Sequence, residues 1–236
     1  MKLGISLIEV KYDKFYKSVI KNLTSKGIKN IHVDFCEKNF TGRKIIPYNK
    51  LEYLKKLKKD DLKIDCHIMG FHESKKGNLE KISKKISNFN FINSNFFFHL
   101  KAFKNNLNLI SFLKNLNKLK LTPGLVIEIN QKFNQKLDKI IENRFFDTFL
   151  IMGYKEGAGG KKFNTKSYEN YKNLRKMLFK HKIKKYNIQF DGGLSTKNIG
   201  EFKRLKFDQV NGWSIIKDKK ITEVIKKYNS LKKFLN

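Results

Sequence analysis

Short apolar runs alternate with longer lysine-rich amphipathic stretches from one end of the chain to the other. That alternation narrows the fold more than any other feature. The apolar runs are Leu3–Ile8, Ile28–Phe35, Leu62–Met69, Phe91–His99, Pro123–Ile129, Thr148–Met152, Tyr186–Asp191 and Phe207–Trp213. Runs such as Ile28–Phe35 and Tyr186–Asp191 are short and bounded by polar residues or glycine, as strands buried on both faces are. Helix-like segments lie between them, for example Tyr48–Lys58, Leu107–Leu119 and Thr165–His181, and a last one, Asp218–Leu231, follows the eighth run. In Thr165–His181 the residues Tyr168, Tyr171, Leu174 and Leu178 recur at three- and four-residue steps, giving one apolar stripe. Eight strands alternating with helices over 236 residues predict an α/β chain, a (β/α)8 TIM barrel, forming a single domain over 1–236. A doubly wound open sheet is the runner-up. Its first strand-to-helix turn would carry a glycine-rich fingerprint, and none stands there.

Composition closes off other classes. Hydrophobic residues make up 40% of the chain and 21 residues are Phe, enough for a sizeable core and too many for a disordered chain. No run of about 18 apolar residues occurs, so no membrane-spanning helix is expected. The N-terminus has one Lys and then a strand-like run without a cleavage site, so a signal peptide is not expected either. Cys36 and Cys66 are the two cysteines, too few for a disulfide framework, which predicts a reducing, cytoplasmic setting. Lys+Arg is 52 against 21 for Asp+Glu, a net charge of +31. Such a field favours phosphorylated or polyanionic ligands. The cations are spread along the expected helix faces, as at Lys55, Lys56, Lys58 and Lys59, and no aromatic-plus-basic stacking motif or recognition helix accompanies them. Solvated faces account for them, and nucleic acid is not an expected partner.

In a barrel of this type the reactive groups sit at the C-terminal ends of the strands. Alternation puts His32, Asp34 and Cys36 on one face of the second run and Asp65, His67 and Met69 on one face of the third. The seventh run ends Gln189-Phe190-Asp191-Gly192-Gly193. His32, Asp34, His67 and Asp191 can therefore converge from three strand ends. Two imidazoles and two carboxylates suit Zn²⁺, Mn²⁺ or Fe²⁺. Each signal has an ordinary reading taken singly: a hydrogen-bonded structural His, a turn-forming Asp before Gly-Gly, a core-filling Cys36 or Met69. Beyond the sixth run the chain reads Met152-Gly153-Tyr154-Lys155-Glu156-Gly157-Ala158-Gly159-Gly160-Lys161-Lys162-Phe163. With Gly192, Gly193 and Gly212 it offers exposed backbone N–H groups where barrels of this kind often bind phosphate.

These pieces, in order over nearly the whole chain, resemble the ribulose-phosphate 3-epimerase family. They are Ile5-Ser6-Leu7, His32-Val33-Asp34, Asp65-Cys66-His67-Ile68-Met69, Phe98-His99, Met152, Gly157-Ala158-Gly159-Gly160-Lys161-Lys162-Phe163, Asp191-Gly192-Gly193 and Gly212. The resemblance implies a barrel of the ribulose-phosphate-binding type and one divalent ion (Zn, Fe, Mn or Co) on His32, Asp34, His67 and Asp191. Asp34 and Asp191 would double as the catalytic acid and base. It implies substrate contacts at Ser6, His67, Met69, Met152, Gly157, Gly159, Gly160, Asp191, Gly192, Gly193, Gly212 and Trp213, with Cys36 where a third pocket Met is usual. The implied reaction is metal-dependent 3-epimerisation of D-ribulose 5-phosphate to D-xylulose 5-phosphate by a cytoplasmic homo-oligomer. The chain departs from the family at Glu37-Lys38 (usually Asp-Gly), Lys101 (usually acidic), Glu156 (usually Pro), Lys161 (usually Gln) and Trp213 (usually Ser). The departures spare the proposed metal set and leave the sugar open. A ketohexose phosphate is one alternative, and a divergent, weakly active barrel binding polyanions is another. Aldolase or decarboxylase relatives on this barrel commonly place a Lys beside the acidic cluster at the third strand, where His67 stands here.

Overall fold

Eight parallel strands close on themselves in sequence order, each paired with the next and the eighth with the first. They are β1 (Lys2–Ser6), β2 (Asn30–Cys36), β3 (Lys63–Met69), β4 (Asn95–Phe98), β5 (Thr122–Ile127), β6 (Thr148–Met152), β7 (Asn187–Asp191) and β8 (Gln209–Gly212). A computed structural model describes residues 1–7, 14–42, 62–72, 79–88, 95–155, 163–212 and 220–235. Every apolar run therefore contains a strand. Ile8, Phe91–Ser94 and Trp213, and the helix expected over Tyr48–Lys58, lie outside the described residues. The described helices are α1 (Lys14–Ser25), α2 (Lys38–Thr41), α3 (Leu79–Ser87), α4 (Asn106–Lys118), α5 (Gln135–Glu142), α6 (Lys166–Lys180), α7 (Ile199–Arg204) and α8 (Ile221–Leu235). None of them is long and apolar enough to cross a membrane.

Local chemistry sets the helix ends. The side chain of Asn105 accepts from the Asn108 N–H at 2.9 Å and that of Asn134 from the Leu137 N–H at 3.2 Å, so α4 and α5 each start on an asparagine cap. At the other end the return to the next strand needs a left-handed residue. Gly27 takes it after α1, but Lys120, Arg144, Lys182 and Lys206 take it after α4, α5, α6 and α7, with φ of 53° to 59°. In α6 the stripe is laid as its spacing predicts: Tyr171, Leu174 and Leu178 are buried and Tyr168 packs beside them.

The strand residues divide by parity. Ile31, Val33, Ile64, Ile68, Phe96 and Phe98 face outward into the main core under the helices. The inward residues form two unlike halves. Phe97, Val126, Leu150 and Met152, from β4, β5 and β6, make a small apolar cluster. The opposite wall is polar. Asp65 Oδ1 accepts from the backbone N–H and Nδ2 of Asn95 at 3.1 and 2.9 Å, and Oδ2 from Gln189 Nε2 and Gln209 Nε2 at 3.0 and 3.1 Å. Lys63 Nζ reaches the same Oδ2 at 3.4 Å. A fully buried carboxylate is tolerable only with such partners.

Two inward glycines make room for these halves. A Cβ on Gly4 would stand 2.1 Å from Asn211 Oδ1, and one on Gly124 would stand 2.3 Å from the Phe97 ring. Gly124→Ala is expected to displace Phe97 and lower stability by about 1–3 kcal/mol. Gly200→Ala, with nothing within 4 Å of the new methyl on α7, is expected to be neutral or to gain roughly 0.5–1 kcal/mol. Urea melts of the two variants check the contrast.

Candidate metal centre and active site

The pairing register brings the four sequence-selected side chains together. Asp34 lies beside His67 across β2 and β3, and β1 and β8 separate them from Asp191 on β7. His32, Asp34, His67 and Asp191 are all buried, and their potential ligand atoms lie within 4.8 Å of one another. His67 Nδ1 is 2.9 Å from Asp34 Oδ1. His32 Nε2 is 3.6 Å from the same oxygen and 3.8 Å from Asp191 Oδ2. That Nε2 is buried and without a hydrogen-bond partner. An orphaned imidazole nitrogen aimed between two carboxylates is costly unless something binds there. Neighbouring ligand atoms on one ion, each about 2.1 Å from it, stand roughly 3–4 Å apart, so these residues fit a divalent cation.

Electrostatics within the cluster are lopsided. Burial alone would push the His32 imidazole down, but the charges of Asp191 and Asp34 outweigh it and carry the pKa to about 9. Burial would raise Asp34, yet the charge of His32 holds it below the ordinary carboxylate range. Asp191 is raised, mainly by burial and further by the charge of Asp34, with His32 opposing only in part. One carboxylate is thus disposed to stay ionised and the other to hold a proton, a pairing that suits base and acid roles.

A second set of contacts leads outward from His67. Its Nε2 is 2.9 Å from His99 Nε2, and His99 Nδ1 is 2.7 Å from Glu128 Oε1. Lys101 Nζ stands 3.1 Å from the same Glu128 oxygen. Burial drives His99 down to about 4. Glu128 is lowered to about 2, its own burial being outweighed by the His99 hydrogen bond and by Lys101. Lys101, a family departure, is thus matched by an acid just past the end of β5.

The other sequence-selected residues divide into three groups. Ser6 Oγ donates to Asp34 Oδ2 at 3.1 Å, which places it in the cluster. Met152 pairs with Asp191 in register and Met69 with Cys36, both Met side chains being buried. The Cys36 thiol instead engages Thr41 Oγ1 and the Glu37 carbonyl. Gly192 and Gly193 follow Asp191 with φ of 98° and 73°, and a Cβ on Gly192 would meet the Tyr154 ring at 2.7 Å. Gly212 ends β8 opposite Ile5. Gly157, Gly159, Gly160 and Trp213 lie outside the described residues. Glu37, another departure, accepts from the Phe71 N–H at 3.1 Å and so ties the rim of β2 to that of β3.

Sequence reasoning gave no role to Glu128, Gln189, Gln209 or Asn211. Asn211 Nδ2 lies 3.3 Å from His32 Nδ1 and so links the cluster to the polar wall. The available signal was parity: Glu128 is the sole charge in its run, two residues beyond the inward Val126.

Comparison with known proteins agrees with this fold. The model of the ribulose-phosphate 3 epimerase family matches residues 2–211. No curated protein matches the sequence. Among solved structures, 3-hexulose-6-phosphate synthase from Salmonella typhimurium superposes with a TM-score of 0.64 at 12% identity, covering 100% of this chain and 98% of that one. 3-Keto-L-gulonate-6-phosphate decarboxylase from Vibrio cholerae gives 0.65 at 10% identity, covering 99% and 96%. A protein from Aquifex aeolicus VF5 gives 0.69 at 14% identity, covering 100% and 93%. At such identities the likeness is one of fold.

Ligation requires the His32 imidazole to lose its proton, so cation uptake should release protons. Apparent Zn²⁺ affinity is expected to rise between pH 6 and pH 8, with roughly one proton released per ion near neutrality. Calorimetry in buffers of different ionisation enthalpy measures both, and a pH-independent affinity contradicts the expectation. In the ion-free protein the raised His32 has the opposite effect. Its contribution to stability is complete below 6.5 and is lost as pH climbs through about 9.

Proposed function

The chain belongs to the ribulose-phosphate 3-epimerase family, and from that premise we propose that it epimerises a ketose phosphate at C3, D-ribulose 5-phosphate to D-xylulose 5-phosphate. The observation that carries the reading is the pair Asp34 and Asp191, reaching one buried imidazole nitrogen from strands β2 and β7. Epimerisation beside a ketone removes a proton from one face of a carbon and returns one to the other. It therefore needs two positioned acid/base groups and a planar enediolate between them.

In this reading Asp34, held ionised within the cluster, is the group that takes the proton. Asp191, kept protonated by burial, is the group that returns one, and the roles exchange in the reverse direction. Ser6 orients Asp34 through its 3.1 Å hydrogen bond to Oδ2, which leaves Oδ1 turned toward the two imidazoles. Met152, beside Asp191, and Met69 line the site with polarizable apolar surface that keeps water from the reacting carbon. A divalent ion held by His32, Asp34, His67 and Asp191 would act as a Lewis acid, stabilising the charge that develops on the sugar oxygen. The turn at Gly192 and Gly193 after β7 is the described part of the phosphate end in this reading, and the family resemblance assigns Gly157, Gly159, Gly160, Gly212 and Trp213 to the substrate as well. The net charge of +31 favours arrival of the anionic sugar.

Asp34→Asn and Asp191→Asn are each expected to reduce solvent deuterium incorporation at C3 of ribulose 5-phosphate by about 10²–10⁴-fold. NMR of the C3 proton in D₂O reads this out. Exchange at the wild-type rate in either variant contradicts the two-aspartate reading, and a panel of ketopentose and ketohexose phosphates identifies the preferred sugar.

A further inference from the structure

The contacts outward from His67 have a direction that is set at their outer end. At neutral pH the Glu128 carboxylate can only accept, so the 2.7 Å contact makes His99 Nδ1 the donor. With its N–H spent there, His99 presents Nε2 as an acceptor. The 2.9 Å contact then fixes the N–H of His67 on Nε2. His67 Nδ1 is left with its lone pair turned toward Asp34 Oδ1 at 2.9 Å. Two acceptors facing each other at that distance repel in isolation and are reconciled by a cation between the ligand atoms.

We propose that His99 and Glu128 are positioning residues that fix the tautomer and ring orientation of His67 and so present its Nδ1 to a divalent cation. The inference rests on the metal reading of the four-residue cluster. Outer-shell partners of ligating histidines commonly hold the tautomer and raise the basicity of the ligand. The surroundings suit that task. His99 is fully buried, with its ring 5.1 Å from those of His67 and Phe40. Lys101 holds the Glu128 oxygen at 3.1 Å and lies over the Phe40 ring at 4.7 Å, which fixes the outer anchor. The departure at Lys101 thus belongs with Glu128: the cation replaces an expected acid, and the acid stands one residue past the neighbouring strand instead.

The test compares Zn²⁺ affinity, by chelator competition, in four variants of the full chain. Asn at position 99 can still donate toward Glu128 but does not reach His67. Gln there reaches His67 with an acceptor. His99→Asn and Glu128→Ala are expected to weaken Zn²⁺ binding by about 10–100-fold, with His99→Gln and Glu128→Gln restoring most of the loss. The visible bands of the Co²⁺-loaded protein should shift in Glu128→Ala, although all four ligands remain. Melting of the ion-free variants verifies folding. Glu128 is 23% exposed at the rim, so the Glu128 pair carries the test if His99→Asn does not fold. Wild-type affinity and an unchanged Co²⁺ spectrum in Glu128→Ala overturn the inference and leave the metal reading intact. So does equal weakening in the Ala and Gln variants. A wild-type chain that takes up no divalent ion overturns both.

Discussion

Two carboxylates and two imidazoles are buried within a few ångströms of each other in the mouth of a closed barrel, and that concentration of charge governs much of what surrounds it. Removing such groups from water costs several kcal/mol per ion unless partners restore what solvation supplied. The protein supplies partners on three sides. Ser6 donates to Asp34, Asn211 meets His32, and the line through His99 to Glu128 supports His67. Beneath them Asp65 gathers the amides of Asn95, Gln189 and Gln209. Within the cluster His32 Nε2 is left without a hydrogen-bond partner, and it stands between the carboxylates.

The division of the barrel interior follows from this need. An ordinary barrel core is filled by branched apolar side chains. Here only the wall from β4 to β6 is, through Phe97, Val126, Leu150 and Met152. The wall from β7 through β3 is polar, and glycine at position 4 admits Asn211 where any side chain would collide. The fold neighbours, a synthase and a decarboxylase among them, share the barrel at 10–12% identity. The chemistry of each therefore resides in what its strand ends carry, not in the barrel.

Much of this was legible in the sequence because a two-residue period and a strand end are local features. His32 with Asp34, and His67 two residues after Asp65, declare their shared faces directly, and the glycines after Asp191 mark the end of β7. The short runs also revealed each of the eight described strands. What lay hidden depends on contacts between distant strands. Glu128 looks like a charge closing an apolar run until β5 is set beside β4, when it meets His99 and Lys101. Gln189 and Gln209 look like ordinary strand polar residues until both are turned onto Asp65. Helix exits were hidden for a different reason. Lysine and arginine occupy the left-handed positions after α4 to α7, and neither residue type announces that conformation as glycine does.

The central claim is that His32, Asp34, His67 and Asp191 share one ion, and X-ray absorption by the Zn²⁺-loaded chain addresses it directly. One ion per chain is expected, in a shell of nitrogen and oxygen only at about 2.0–2.2 Å, with the multiple scattering of two imidazoles. A sulfur shell at about 2.3 Å, which would place the ion on Cys36 or Cys66, or a chain that retains no ion, would contradict it.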